Sequence, residues 1–312
     1  MNTATVTRFE ASRDRLASLA YRLLGSAADA EDTVQDAFLR WQAADQEYVE
    51  VPEAWLTKIV TNLALDRLRS AQVRRERAVG AWMPEPLLDG DPMLGPAETA
   101  EQRESVTLAV LTLMERLSPT ERAVYVLREA FAYSHAEIAE ILGITESGSQ
   151  QHTHRARRRI AAAGKRTEVD QASARRIVEA FVAAASSGRT ERLVALLTDD
   201  ASGVSDGAAG MAEKLIRYPN PGQIARAVRA GFKPSAAKRK LAGGSPAIHA
   251  AVINGCPAVL FTLGARILGV TILEIRGDKI AGIRGIAAPS RLGRLTEQWQ
   301  QRRQDVPLIE SW

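Results

Sequence analysis

Residues 134–160 read SHAEIAEILGITESGSQQHTHRARRRI. Ile138, Ala139, Ile141 and Leu142 recur at helical spacing and give a short first helix one apolar face. Gly143 tolerates the left-handed backbone that ends such a helix, and Thr145 has the side chain of an N-cap for the next one. That second helix carries His152, His154, Arg155, Arg157, Arg158 and Arg159, with no acid between Ser147 and Arg166. Face, turn, cap and cationic cluster in this order predict a helix-turn-helix that binds DNA, its C-terminal half tracking phosphates. The alternative left by these residues is a solvated helical hairpin with a basic surface.

Outward from this stretch, 312 residues with 46% hydrophobic content suffice for two or three domains with cores of their own. The formal net charge is only +4, but it is segregated along the chain. Between Ser26 and Glu53 eight acids face a single base, Arg40, whereas arginine dominates from Arg67 to Arg77. One cysteine, Cys256, excludes an internal disulfide framework and a cysteine metal cluster, and fits a reducing compartment. The N-terminal MNTATVTRFEASRD lacks a basic segment followed by an apolar core, and no apolar run approaches the roughly 18–20 residues of a membrane span. A cytoplasmic protein without membrane contact is expected, with no cofactor and no metal.

From Phe9 to about Ser70 the pattern is helical nearly throughout, with Pro52 where a helix would start. AWMPEPLLDGDPMLG from Ala81 to Gly95 holds closely placed prolines, glycines and acids that forbid a regular helix and mark a linker. Thr99–Arg116 is expected to resume as helix, and Ser118-Pro119-Thr120-Glu121 opens the next. Arg175–Ser187 is an amphipathic helix with Val178, Phe181, Val182 and Ala185 inward. Asn254-Gly255 and Gly277-Asp278 are hairpin turn signals, the first between runs 247–253 and 258–261, the second between 270–276 and 279–286. The expectation is a multidomain chain of two all-α units and an α+β unit with a curved antiparallel sheet. The boundaries read are 1–80 and 105–165 for the helical domains, 81–104 for the acidic linker, 168–290 for the α+β domain and 291–312 for a tail.

Asp29, Asp32, Asp36 and Arg40 fall at i, i+3, i+7 and i+11 and form a polar stripe, with Val34, Ala37, Phe38 and Trp41 opposite. An acidic stripe suits a basic protein partner and would repel DNA; a solvated helix face is the other reading. The helix from Pro52 to Arg77 turns Leu56, Ile59, Val60 and Leu63 to a core and aligns Lys58, Asn62 and Arg69 outside. Asparagine and arginine offer hydrogen bonds to base edges, and Trp55 or Trp41 could stack on opened DNA. Two basic helices on either side of a linker predict the reading of two spaced elements of one site.

SAADAEDTVQDAFLRW, AWLTKIVTNLALDRLRSAQVRRE, LSPTERAVYVLREAFAYSHAEIAEILGI and HRARRRI resemble, in order and spacing, the successive segments of extracytoplasmic-function sigma factors, over about the first 165 residues. The resemblance implies sigma-70 regions 2 and 4. It assigns Asp29, Asp32, Gln35, Asp36 and Phe38 to the clamp helices of the largest catalytic subunit of bacterial RNA polymerase. It assigns Lys58, Asn62, Asp66, Arg67 and Arg69 to the minus-ten promoter element, and Ser147, Gln150, Gln151, His154, Arg155, Arg157 and Arg158 to the minus-thirty-five element. AWMPEP, with Trp82, Pro84, Glu85 and Pro86, resembles the linker motif of sigma factors that carry a fused SnoaL-like domain, a relative of the nuclear-transport-factor-2 fold. The residues after Arg175 resemble that domain, which implies regulation in cis by contact with the sigma domains. Departures are Asp206-Gly207-Ala208-Ala209-Gly210 in place of DGGGK, and Ala288-Pro289-Ser290-Arg291-Leu292 in place of an asparagine-proline-x-lysine-leucine motif. In the recognition helix Ser149 and His152 stand at usually apolar positions and Gln150 at a usually basic one. Gly148 costs about 1 kcal/mol relative to alanine, so binding to DNA without polymerase is expected to be feeble.

Two other readings stay open on the residues alone. One is a stand-alone, ligand-responsive helix-turn-helix regulator. The other is a SnoaL-like enzyme with a DNA-binding appendage, for which Asp206, Glu213, His249 and Glu274 are the acid-base candidates. No nucleophile motif, metal spacing or cofactor loop accompanies them, so no enzyme is expected.

Overall fold

Pro52 sits at the first position of a long helix, where its missing amide is no loss, and three helices are built around that start. They are α1 (Thr3–Leu24), α2 (Ala27–Ala43) and α3 (Pro52–Arg77). The computed structural model describes residues 3–45, 48–77, 83–95, 97–161, 169–207, 215–302 and 306–312. Leu16, Leu19, Leu23, Val34, Ala37, Leu56 and Val60 are buried where the three helices meet. Trp41 is fully buried, its Nε1 donating to the Thr5 carbonyl at 3.1 Å and its ring tilted against Trp55 at 5.5 Å. Stacking of Trp41 on an opened base is therefore corrected: its indole is a core side chain.

The expected single helix over Thr99–Arg116 is two, α4 (Ala100–Ser105) and α5 (Leu108–Met114). Thr107 interrupts it, because its Oγ1 takes the Val110 amide as an N-cap. Ser105 is held elsewhere: its hydroxyl donates to the Gln102 carbonyl and accepts from Arg22 Nε. Arg22 is a wholly buried guanidinium, its pKa pulled down to about 10 by burial. Gly95 (φ 65) passes so close to it that an added Cβ would run into the Ser18 hydroxyl. A capping box of Ser118 and Glu121 opens α6 (Pro119–Tyr125), which continues as a π-helical turn over Val126–Ala130. α7 (His135–Leu142) starts at a second capping box, Ser134 with Glu137, and stops at Gly143 (φ 64). α8 (Glu146–Ile160) follows, its Gly148 amide donating to Thr145 Oγ1. These eight helices, with Met83–Glu85, form one compact unit.

Pro86–Asp89 and the residues from α9 onward form the second. It contains α9 (Gln171–Ser186), α10 (Thr190–Ala195), β1 (Leu197–Ser205), β2 (Ile216–Tyr218), α11 (Pro221–Phe232), α12 (Ala236–Ala242), β3 (Ala247–Ile253), β4 (Cys256–Leu263), β5 (Arg266–Arg276), β6 (Lys279–Ile286) and α13 (Gly293–Gln301). The sheet order is β2-β1-β6-β5-β4-β3. Asn254 (φ 49) and Gly255 (φ 72) turn β3 into β4 with the two left-handed residues that a tight hairpin needs. β3 to β6 are antiparallel neighbours, but β1 pairs with β6 in parallel, so the sheet is mixed rather than antiparallel throughout. The pairing joins strands far apart in sequence, and the polar LTDDASGVS of β1 gives no alternation to announce it. Phe181 of α9, Phe232 of α11 and Phe261 of β4 meet edge to face in the core. Among the described residues no helix is long and apolar enough to cross a membrane.

Candidate nucleic-acid interface

On α8, Ser149, Thr153, Ala156 and Ile160 are buried, and this fixes which side faces out. Ser149 stands at a core position because His135 Nδ1 meets its hydroxyl at 2.9 Å, a polar pair where apolar packing is usual. Ser147, Gln150, Gln151, His154, Arg155, Arg157 and Arg158 are all exposed. Three of the helix's arginines have carboxylate partners within the unit. Arg155 Nε donates to Glu121 Oε1 at 3.1 Å, Arg159 reaches Glu121 Oε2, and Arg157 Nη2 lies 2.9 Å from Glu129. Glu121 is 7% exposed and also accepts from the Ser118 amide. Burial would push its carboxyl up, but the Ser118 amide, Arg159 and Arg155 outweigh this and hold it below the ordinary range. His152, partly buried beside Arg155, is pushed toward its neutral form. Glu121, read in the sequence only as a helix opener, thus orients the helix that carries the predicted reading residues.

Lys58, Asp66 and Arg69 are exposed on α3 and Asn62 is half-buried, with Arg69 Nη1 3.3 Å from Asp66. Arg67 lies apart from them: its guanidinium reaches α2, with Nη2 2.7 Å from Asp36 Oδ2. On α2, Asp29, Asp32 and Gln35 are exposed and Asp36 half-buried. Phe38 is half-buried against Phe9, with ring centres 4.8 Å apart.

A network the sequence does not signal joins the helix-turn-helix segment to the first three helices. Arg15 of α1 donates to Tyr133 Oη at 2.7 Å and to Thr57 Oγ1 at 3.1 Å, and the Tyr133 and Thr57 hydroxyls are 3.1 Å apart. The Arg15 guanidinium also lies over the Phe131 ring, 5.3 Å from its centre. Nothing in periodicity or spacing links an arginine at 15 with a tyrosine at 133.

Among the described residues of the linker, Met83, Pro84, Pro86, Leu87 and Leu88 are buried; Trp82 lies outside the described residues. In the first unit Glu85 caps α2, its carboxylate accepting from the Ser26 hydroxyl and the Ala27 amide at 2.9 Å each. Burial raises its pKa despite those bonds. In the second unit Leu87 donates to Asn254 Oδ1 at 2.8 Å and Asp89 to the Val252 carbonyl at 3.0 Å, so the segment pairs with the edge of β3. The other half of that edge holds the tail, where Ile248 and Ile309 pair and Trp312 Nε1 donates to the Phe232 carbonyl.

The acid-base candidates of the second unit are engaged individually. Asp206 accepts from the Ala287 and Ala288 amides and from Arg291 Nη1 at 3.0 Å, so the first residue of one departing segment is held by Ala288 and Arg291 of the other; Ala208 to Gly210 lie outside the described residues. Glu274 pairs with Arg284, His249 packs edge-on to Trp299 at 5.0 Å, and Glu213 lies outside the described residues. An open cavity of about 450 Å³ is lined by His249, Thr262, Ser245 and the tail residues Val306, Pro307 and Glu310. Among the described residues no cluster of His, Cys, Asp or Glu could hold a metal ion.

Comparison with known proteins accounts for both helical parts. Residues 8–74 match the family model for sigma-70 region 2, and residues 107–160 match that for sigma-70, region 4. The chain is 40% identical over 215 residues to the ECF RNA polymerase sigma factor SigJ of Mycobacterium tuberculosis, spanning 68% of this chain and 69% of that one. It is 32% identical over 289 residues to the probable ECF RNA polymerase sigma factor SigI of the same species, spanning 91% and 93%. The crystal structure of M. tuberculosis SigJ superposes with a TM-score of 0.68 at 31% identity, over 92% of this chain and 98% of that one. With both sigma-70 regions in order on one chain and relatives matched nearly end to end, this protein belongs to the extracytoplasmic-function sigma factors of RNA polymerase.

Proposed function

We propose that this sigma factor docks on the RNA polymerase core through Asp29, Asp32, Gln35, Asp36 and Phe38, and reads two promoter elements with separate helices. Lys58, Asn62, Asp66 and Arg69 meet the minus-ten element. Ser147, Gln150, Gln151 and His154 meet the bases of the minus-thirty-five element, with Arg155, Arg157 and Arg158 on its phosphates. The observation that carries this is the segregation of surfaces: an acidic face on α2, and on α8 a polar and cationic face whose arginines are preset by Glu121 and Glu129. The elements lie about 25 base pairs apart, roughly 80 Å of duplex. Residues 1–80 and 105–165, joined here through Arg15, Thr57 and Tyr133, must part to span them.

Residues 168–290 act as a SnoaL-like modulator in cis, supported by the bridge and hydrogen bonds that tie Leu87–Asp89 to the end of β3 and its turn. The role is regulatory rather than enzymatic, since Asp206 and Glu274 are each taken by an arginine. The site of action is the cytoplasm, where the polymerase works.

The test is run-off transcription by core polymerase on a library randomised at both elements, with the full-length chain. The wild type should enrich one pair of elements. Asp32→Arg with Asp36→Arg should lose core association and transcript together, and Asn254→Gly, which keeps the turn and its backbone bond to the Leu87 carbonyl but drops the side-chain bond to the Leu87 amide, should change transcript yield. Transcription undiminished by the charge reversal would sink the docking assignment, and unchanged yield with Asn254→Gly would sink the modulation in cis.

A further inference from the structure

The family resemblance assigns Arg67 to the promoter-facing residues of α3, and in the structure its guanidinium lies against α2. Nine residues separate it from Lys58, about two and a half helical turns, so the two side chains leave α3 on opposite flanks. On its own flank Arg67 meets the acidic face of α2. Nη2 is 2.7 Å from Asp36 Oδ2, and Nη1 is 3.9 Å from both Asp29 Oδ1 and Asp32 Oδ2. One guanidinium thus serves three carboxylates whose side chains remain 46–66% exposed. Ion pairs this wet are weak and screened by salt, so they exchange with an incoming cation at small cost.

We propose that Arg67 belongs to the polymerase-docking surface and not to the DNA-reading one, as an in-chain guanidinium that occupies the α2 face until a basic group of the core replaces it. The proposal rests on the reading of α2 as the docking face. Three carboxylates on one helix face repel one another. Arg67 offsets that repulsion while the chain is free, which lets α2 carry the charge that docking uses. The same contact makes Arg67 a competitor of the core: removing its charge leaves the face more negative and strengthens its attraction for a basic surface. The flank it occupies keeps it away from the strand held by Lys58, Asn62 and Arg69.

The experiment measures full-length wild type, Arg67→Gln, Arg67→Lys, Asp36→Asn and the Arg67→Gln/Asp36→Asn double variant against two ligands. These are core RNA polymerase and random-sequence single-stranded DNA, each at about 50 and about 300 mM salt. Arg67→Gln should bind core about two- to fivefold more tightly at low salt, with a smaller gain at high salt. Its affinity for single-stranded DNA should stay within about twofold of wild type, because one of many cationic contacts is worth little there. Arg67→Lys should keep wild-type affinity for core, and the gain should vanish in the Asp36→Asn background. Core affinity unchanged or lowered in Arg67→Gln overturns the proposal, and a marked loss of DNA affinity would return Arg67 to the DNA-reading set. A parallel Asp32→Arg variant separates the two ideas. Core binding intact in that variant removes the docking reading itself, whereas core binding lost there with no gain in Arg67→Gln removes only the proposal.

Discussion

Arginine-carboxylate pairs occur on α2 and on α8, and their surroundings give them opposite roles. On α8, Arg155 and Arg159 converge on Glu121, a carboxylate withdrawn from water that also closes the cap of α6. On α2 the order is inverted: the acids are in water, and one arginine leans across them. A buried carboxylate must be satisfied wherever it is, so Glu121 cannot release its partners without a desolvation penalty. Exposed acids face no such penalty, and their arginine is exchangeable. α8, the helix proposed to read DNA, therefore receives preset cations. α2, the helix proposed to dock on the polymerase, keeps charge that is free to trade contacts.

The sharpest way to break this comparison is Glu121→Gln, which weakens the cap and both arginine anchors at once. It should lower the unfolding free energy by about 2 kcal/mol at neutral pH, measured by urea denaturation. The pH dependence has a definite sign. The folded-state pKa of Glu121 is held below its ordinary value of 4.5, so its contribution is fully present above that pH and is lost as pH falls through the folded value. Thermal melts of wild type and variant should differ by a constant amount down to about pH 5 and converge below it. A pH-independent gap would show that the cap geometry, not the charge, holds α8.

Tyr133→Phe tests an intermediate case, since the Arg15-Tyr133-Thr57 contacts are only partly buried. Loss of one hydroxyl that serves two partners should cost about 1 kcal/mol in the same denaturation measurement. The smallest effect is expected for Asp36→Asn, below about 0.5 kcal/mol in stability and smaller still in salt. A cost above about 1 kcal/mol would mean that the α2 pairs are structural and would erase the contrast with Glu121.

The helix-turn-helix was legible because its signals are local. Ser134 and Glu137, Gly143 and Thr145 each act within one turn of where they stand, and the structure uses them as capping box, left-handed stop and N-cap. The hairpins at Asn254-Gly255 and Gly277-Asp278 were legible for the same reason. The break at Thr107 was missed although its cap is local, since a threonine inside an apolar run also fits a continuous helix. Trp41 carried a sign of its burial in its place at i+7 from Val34 on the apolar face of α2, but an aromatic there also fits stacking on a base, and only packing decided between them. The polar Ser149 looked like a flaw in the recognition helix until His135, fourteen positions earlier, supplied its partner.

By itself the sequence determined the two kinds of charged helix, the helix-turn-helix and the four hairpin-connected strands, since helix periodicity, caps and turns are set by neighbours within a few residues. Only tertiary structure decided that β1 joins β6 in parallel, that Arg15 meets Tyr133, that Glu121 anchors two arginines and that Arg67 turns to the acids of α2. Each of these pairs residues about thirty or more positions apart. Their meeting depends on how completed helices and strands pack to bury apolar surface, a choice made by the chain as a whole.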